Sequence, residues 1–382
     1  MSTHLTPSDV LRRASAIGTY YGFTSLSSAA AAKKGSGARA PYPDSLDLEK
    51  LDPIAREVTS LVKHVRDAGL APSSTQPLFI WHSNAAAGRA APKSIVVQFH
   101  AFGVERAIAD AVLIRAVRSL VADLSKTEPR LRLNSMGDKE TRSRFARELT
   151  GFFRKNGANL PADCVTCART DVFEAAEKLI KCQDGSCEFL PSPTDHLSEA
   201  SRKHFEAVLE YLEATDTSYE LAPDILSRGN AWTETCFEIL GDDQVQAWGS
   251  RHMELTKPFF KGTLASVGAV VRITLDDRSE VSPMKERGTP RFVFVHIGEE
   301  AKRESMKMAD TLRHARIPLT QAIGVESLTE QMRLADSTGA PYLLIMGRKE
   351  ALERSVILRE RATHTETFIP LDSLVDRLKA VA

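Results

Sequence analysis

Four of the five cysteines fall within one short stretch: Cys164 and Cys167 as Cys-x-x-Cys, then Cys182 and Cys187 after a gap of fourteen residues. Two close pairs of soft thiolates are enough for a closed tetrahedral zinc site, and the gap is close to that of zinc ribbons. The alternative is a set of reduced, partly buried thiols, since these cysteines are too few and too clustered for a disulfide scaffold. A catalytic cysteine is not expected, because no convincing histidine or other base lies near them in sequence. His100 sits in the strand-like run QFHAF, where a satisfied core or edge histidine is the simpler reading.

Fifty basic and fifty acidic residues leave no net charge, so no global field draws the chain to nucleic acid or to a membrane. RNA binding would have to come from a local patch or from shape. No apolar run approaches the roughly 18 residues of a membrane span, and MSTHLTPSD has no signal-peptide core, so a cytoplasmic protein is expected. The length allows two domains.

The elements that must position these residues are legible from periodicity. Ser8 can cap a helix through DVLRRASAIGTYYGF, and SSAAAAKKGSGARAPYPDS reads as a mobile loop. LEKLDPIAREVTSLVKHVRDAGL is a second amphipathic helix. PLFIWHS and SIVVQFHAFGVE form two strands joined by NAAAGRAAPK, followed by the helix IADAVLIRAVRSLVADL. LRLNSMG, YELAPDI, ETCFEIL, QVQAWGS and SVGAVVRITL add short strands without βαβ alternation. KETRSRFARELTGFFRKNG and SEASRKHFEAVLEYLEA are helices flanking the cysteine stretch. This predicts an α+β core over 1–278, a largely antiparallel sheet with helices on one side and a Cys-rich insertion at about 160–190. The polar segment 279–289 is the expected linker. From Arg291 apolar runs alternate with amphipathic ones, which predicts a separate α/β domain over 290–382.

That C-terminal block closely resembles the anticodon-binding domain of histidyl-tRNA synthetases. Upstream, the order of segments is also similar to that family's class II core. VVQFHAFGVE resembles the end of the second class II motif, and DAVLI follows in place of an Asp-Ala-Glu-Val-Ile helix. LRLNSMGDKETRSRF looks like the family's strand and Arg-rich turn, and HFEAVLEYLEATDTSYELAPDILSRG with TETCFEIL resembles the segments around its histidine-recognition loop. The matches are collinear and cover well over half the chain.

Aminoacyl adenylation brings a carboxylate up to the α-phosphate of ATP, so the site must supply positive charge, normally arginines and Mg²⁺. By the resemblance, Ala87 occupies the position of the motif 2 arginine. Arg89 lies two residues on, on the same strand face, and could substitute. Ala90 and Ile95 correspond to the loop's other arginines, and Ala101 to the histidine-binding glutamine. Glu105 is kept, either to bind an amino acid's α-amino group or to cap the following helix. The loop Arg-Gly-Leu-Asp-Tyr-Tyr reads Arg228-Gly229-Asn230-Ala231-Trp232, without the tyrosine pair. Arg228 is then either the family's second transition-state arginine or part of a surface turn. Gly249-Ser250-Arg251-His252-Met253 keeps Arg251 as a substrate-binding candidate but loses a carboxylate. Leu275 stands where motif 3 should end in an arginine, with Arg272 out of place, and no Leu-Arg-Pro-Glu element is found. In the C-terminal block, Gln331, Arg333, Arg348 and Lys349 are RNA contacts by the resemblance, or else ordinary solvated groups.

Three readings follow. The first is a catalytically degenerate paralogue that binds tRNA or other RNA, an amino acid or a partner protein. The second is an active histidine–tRNA ligase with a diverged site, using ATP and Mg²⁺. The third is a regulatory subunit in histidine biosynthesis, like the synthetase-derived subunit of ATP phosphoribosyltransferase, although those relatives lack the C-terminal domain. A homodimer is expected from the way class II cores pair.

Overall fold

The computed structural model describes residues 3–33, 47–84, 94–182, 190–226, 231–260, 262–275, 280–281 and 290–381. The chain opens with β1 (Thr3–His4) and helix α1 (Pro7–Tyr20). Thr6 caps α1 rather than Ser8. Its hydroxyl accepts from the Asp9 amide, Asp9 reaches back to the Thr6 amide, and Pro7 fills the first helical position, where no amide donor is needed. After β2 (Thr24–Ser25) comes α2 (Leu26–Ala32), inside the stretch expected to be a loop. Its alanines are the best helix formers, and the Ser25 hydroxyl caps the Ser28 amide. The rest of that predicted loop, 34–45, lies outside the described residues.

Helix α3 (Pro53–Asp67) precedes the hairpin of β3 (Leu78–Ser83) and β4 (Ser94–Phe102), then α4 (Ile108–Leu124) and β5 (Arg130–Ser135). Helix α5 (Lys139–Asn156) leads into the insertion, which contains α6 (Ala162–Cys167) and α7 (Val172–Cys182). It is followed by α8 (Glu199–Ala214), β6 (Glu220–Leu221), β7 (Thr233–Gly241), β8 (Gln244–Arg251), α9 (Met253–Thr256) and β9 (Ser266–Thr274). The strand expected at YELAPDI shrinks to two residues, ending before Pro223, which has no amide for a ladder.

These strands form one sheet in the order β2-β3-β4-β9-β8-β7-β5-β6, antiparallel from β3 through β5 and parallel at both edges. Helices α1, α4 and α8 cover one face through an apolar core that includes Val97, Phe99, Val117 and Val271. The opposite face is covered too, contrary to the one-sided expectation. The α3 side chains Ala55, Val58, Leu61, Val62 and Val65 pack on Val96, Phe102, Trp248 and Val270, while α5–α7 cover the β5–β7 end around Cys236. A helix with so continuous an apolar seam has to be buried somewhere, and the other face already had its helices.

The two-residue strand β10 (Glu280–Val281) lies within the expected linker and pairs with β1. The C-terminal unit runs β11 (Phe292–His296), α10 (Glu299–His314), β12 (Leu319–Gln321), α11 (Leu328–Thr338), β13 (Tyr342–Met346), α12 (Arg348–Leu352), β14 (Ser355–Glu360), β15 (Glu366–Pro370) and α13 (Leu374–Val381). Its sheet order is β12-β11-β13-β14-β15, with β12, β11 and β13 parallel; β15 and α12 go beyond the elements anticipated. Phe292 and Phe294 face α10, and Val293 faces α11, so these helices cover opposite faces.

The two units share one apolar core. Arg115 and Tyr21 both bond Asp310, Arg106 and Tyr211 both bond Glu299, and Arg313 pairs with Asp123 at 2.9 Å. Burial pushes the Glu299 carboxyl up, but the bonds from Arg106 and Tyr211 outweigh it and hold the group at about 2.

Candidate functional site

Side chains alternate along a strand, and the register between strands tells which of them share a face. Arg132, Glu238, Trp248, Val270 and Gln98 stand in one cross-strand row, and Asn134, Cys236, Ser250, Gly268 and His100 in the next. Both rows lie on the face beneath α3. Trp232, just before β7, inserts into this layer and is 1% exposed. Its ring meets Trp248 edge-on at 4.5 Å, and its Nε1 donates to Asp52 Oδ2 at 3.1 Å. Asp52 also caps α3, accepting from the Ile54 and Ala55 amides. One carboxylate thus ties the indole to the start of the helix that covers it.

Behind Trp232 runs a buried polar chain. His252 Nδ1 lies 3.3 Å from the Ser250 carbonyl oxygen, so it must carry the proton, which leaves Nε2 as an acceptor. His100 Nδ1, 3.4 Å away, must then donate to it, and His100 Nε2 needs a donor in turn. Gln98 presents Oε1 there at 3.2 Å, while its Nε2 has no partner among the described residues. Turning the amide over supplies that donor, so His100 Nε2 is best paired with the Gln98 NH₂. Gly268 makes room for the ring: a Cβ at that position would come within 2.1 Å of His100 Nδ1. Burial pushes both histidines down, His252 to about 4, so both are neutral.

Among the described residues, two arginines on this face are already paired. Arg272 lies 2.8 Å from Glu57 of α3, and Arg132 is held by Glu220, Asp224 and Glu238. A cavity of about 190 Å³ remains between Trp248, Arg132 and the α7 residues Glu177 and Lys181.

The match to known proteins is consistent along the chain. The model of the anticodon binding domain covers residues 281–381. The histidine–tRNA ligase of Natranaerobius thermophilus is 26% identical over 298 residues, 75% of this chain and 71% of the relative. That of a Geobacillus strain is 28% identical over 302 residues, 74% of this chain and 70% of the relative. This chain is a homologue of the histidyl-tRNA synthetases. The apo histidyl-tRNA synthetase of S. aureus shares the fold, with a TM-score of 0.50 at 19% identity, covering 99% of this chain and 98% of that one. The first unit is therefore a class II synthetase fold, and the second an anticodon-binding fold.

Arg89, Arg228 and Cys187, all expected at sites in this synthetase homologue, lie outside the described residues. Glu105 is exposed in the turn before α4, whose N-cap residue, Ala107, makes no side-chain cap bond. Arg251 points to the other face of the sheet. Its guanidinium donates to both Asp110 oxygens and to the Val104 and Arg106 carbonyls, a buried structural tie rather than a group facing the layer around Trp232. Burial pushes Asp110 up, but Arg251 and His204 outweigh it and hold the carboxyl at about 2.

Cys164 is buried, its thiol pushed up to about 11 by burial and by its neighbours Asp163 and Cys182. Cys167 accepts from Lys178 Nζ at 3.4 Å, and Cys182 is exposed. Among the described residues no three His, Cys, Asp or Glu side chains converge as a metal would need. A zinc site would need ligands outside the described residues.

Gln331 corrects one expected RNA contact. It is buried, donates to the His296 and Val325 carbonyls and accepts from the His296 amide, because it packs the inner side of α11. Arg333, Arg348 and Lys349 are well exposed. They lie beside Glu330, Glu300 and Glu353 at 2.7, 3.4 and 4.0 Å, on helices covering opposite faces.

Proposed function

We propose that this synthetase homologue does not form histidyl-adenylate and serves as a binding protein, with tRNA or another RNA as its ligand. The observation that carries this reading is the filled layer under α3. Trp232 ends the segment that resembles the histidine-recognition loop, so the face it enters is the one on which that loop acts. Two tryptophans, two neutral histidines and an apolar helix occupy that face, and its described arginines are neutralised by carboxylates. Losing one preorganised transition-state charge costs about 3 kcal/mol, and several such losses together leave no useful turnover. RNA would be held by the C-terminal unit, with Arg333, Arg348 and Lys349 as its exposed cations. A cytoplasmic homodimer belongs to the same proposal, because class II cores pair through their first motif.

ATP–pyrophosphate exchange with histidine tests the reading on the purified chain. No exchange above the enzyme-free blank is expected. Robust exchange sinks the proposal and leaves the ligase reading, with Arg89, Glu105 and Arg228 as its charges and ATP and Mg²⁺ as its cofactors.

A further inference from the structure

The α6–α7 hairpin puts the described cysteines of the insertion into two different settings. Residues 168–171 join the helices, and so short a connection turns the second back alongside the first. Cys167 Sγ accepts from Lys178 Nζ at 3.4 Å and reaches the Asp171 carbonyl oxygen at 3.9 Å, which fixes the register of the pair. One turn earlier on α6 is Cys164, and one turn later on α7 is Cys182. These two thiols are neighbours across the hairpin, in hydrogen-bond contact.

The two partners differ in access. Cys164 is 0% exposed, packed in the core with Phe145, Leu149 and Leu179, whereas Cys182 ends α7 in an exposed position. A dissolved oxidant therefore meets Cys182 first and does not reach Cys164 directly. Among the described residues no three His, Cys, Asp or Glu side chains converge as a metal would need. Two sulfurs in contact, one exposed and one behind it, are instead what formation of an S–S bond needs.

We propose that Cys182 and Cys164 are a peroxide-sensitive thiol pair that closes to an intrachain disulfide. The Cys182 sulfur attacks one peroxide oxygen: an S–O bond forms, the O–O bond breaks, and water leaves with the Cys182 proton, giving the sulfenic acid. The Cys164 sulfur then attacks that sulfur: the S–S bond forms, the S–O bond breaks, and the hydroxyl leaves as water with the Cys164 proton. The two thiols lose two electrons in all, and one peroxide becomes two waters. Because the partner is already in place, the second step needs no encounter. The bond pins the end of α7, whose Glu177 and Lys181 line the cavity beside Trp248. This inference does not depend on RNA binding or on the state of the sheet face.

Treatment of the full chain with hydrogen peroxide, followed by tryptic mapping without reduction, tests it. The peptides 156–169 and 182–202 are expected to become joined with a loss of about 2 Da, and dithiothreitol should separate them. Cys167 and Cys187 lie on the same two peptides, so the double variant Cys167→Ser/Cys187→Ser decides the assignment and should keep the link. Cys182→Ser, at an exposed position, should lose it, with circular dichroism showing that the variant is folded. Four results overturn the proposal: no link in the parent chain, a link lost in the folded double variant, a link that survives Cys182→Ser, or stoichiometric zinc in the purified chain that Cys182→Ser removes.

Discussion

His100 and His252 sit side by side in a layer with no water-facing side, and His296 is buried in the second unit; all three are held neutral. In the unfolded chain each returns to its ordinary value near 6.5 and takes up a proton below it. Stability is therefore expected to be flat above that value and to fall as the pH drops towards 4, by roughly 3 kcal/mol for His252 alone. Below that, the depressed Asp110 carboxyl adds a further loss as it protonates towards 2. Urea denaturation from about pH 7 to about pH 4 reads this directly, and a flat profile would contradict the buried neutral pair. Little of this is legible in the residues themselves. QFHAF shows that His100 lies in a strand, but its partner His252 is 152 positions away, and only the fold brings them together. Arg251 and Gln331 were misleading for a related reason: residue type announces a charge or an amide, and the register decides which way it points.

Helix α3 is the element on which the functional reading turns. Its apolar spacing was plain, but nothing in that spacing says which face of the sheet it will cover, since both faces offer apolar rows. Asp52 anchors it twice, capping the first turn and holding the Trp232 indole. Asp52→Ala should cost about 2 kcal/mol, about half from the lost cap and half from the lost indole bond. Asp52→Asn should recover much of this, since an amide oxygen can still cap. Thermal denaturation of the two variants side by side checks this, and equal destabilisation by both would argue against the double role. Helix α2 shows the reverse difficulty. Its segment lacks apolar bulk and reads as loop, but alanine propensity and a serine cap suffice for two turns.

For the whole molecule, the resemblance to a synthetase gave the order of the two units, but not how closely they join. Polar residues scattered across α1, α4, α8 and α10 converge at the junction, and no single stretch of sequence marks them as partners. Asp310 receives both Arg115 and Tyr21 there. Asp310→Ala removes the carboxylate partner of a buried guanidinium that otherwise bonds the Thr215 carbonyl and the Thr217 hydroxyl, and should cost about 2–3 kcal/mol. Because the apolar core is continuous, fluorescence and circular dichroism should report one shared unfolding transition in the parent protein. Two separated transitions would mean that the junction contributes little.

That continuity has a practical side. A cut at the polar segment before β11 would strip apolar surface bare on both fragments, and neither is expected to stay in solution alone. A partner that grips the C-terminal unit therefore takes hold of the entire particle through that shared core.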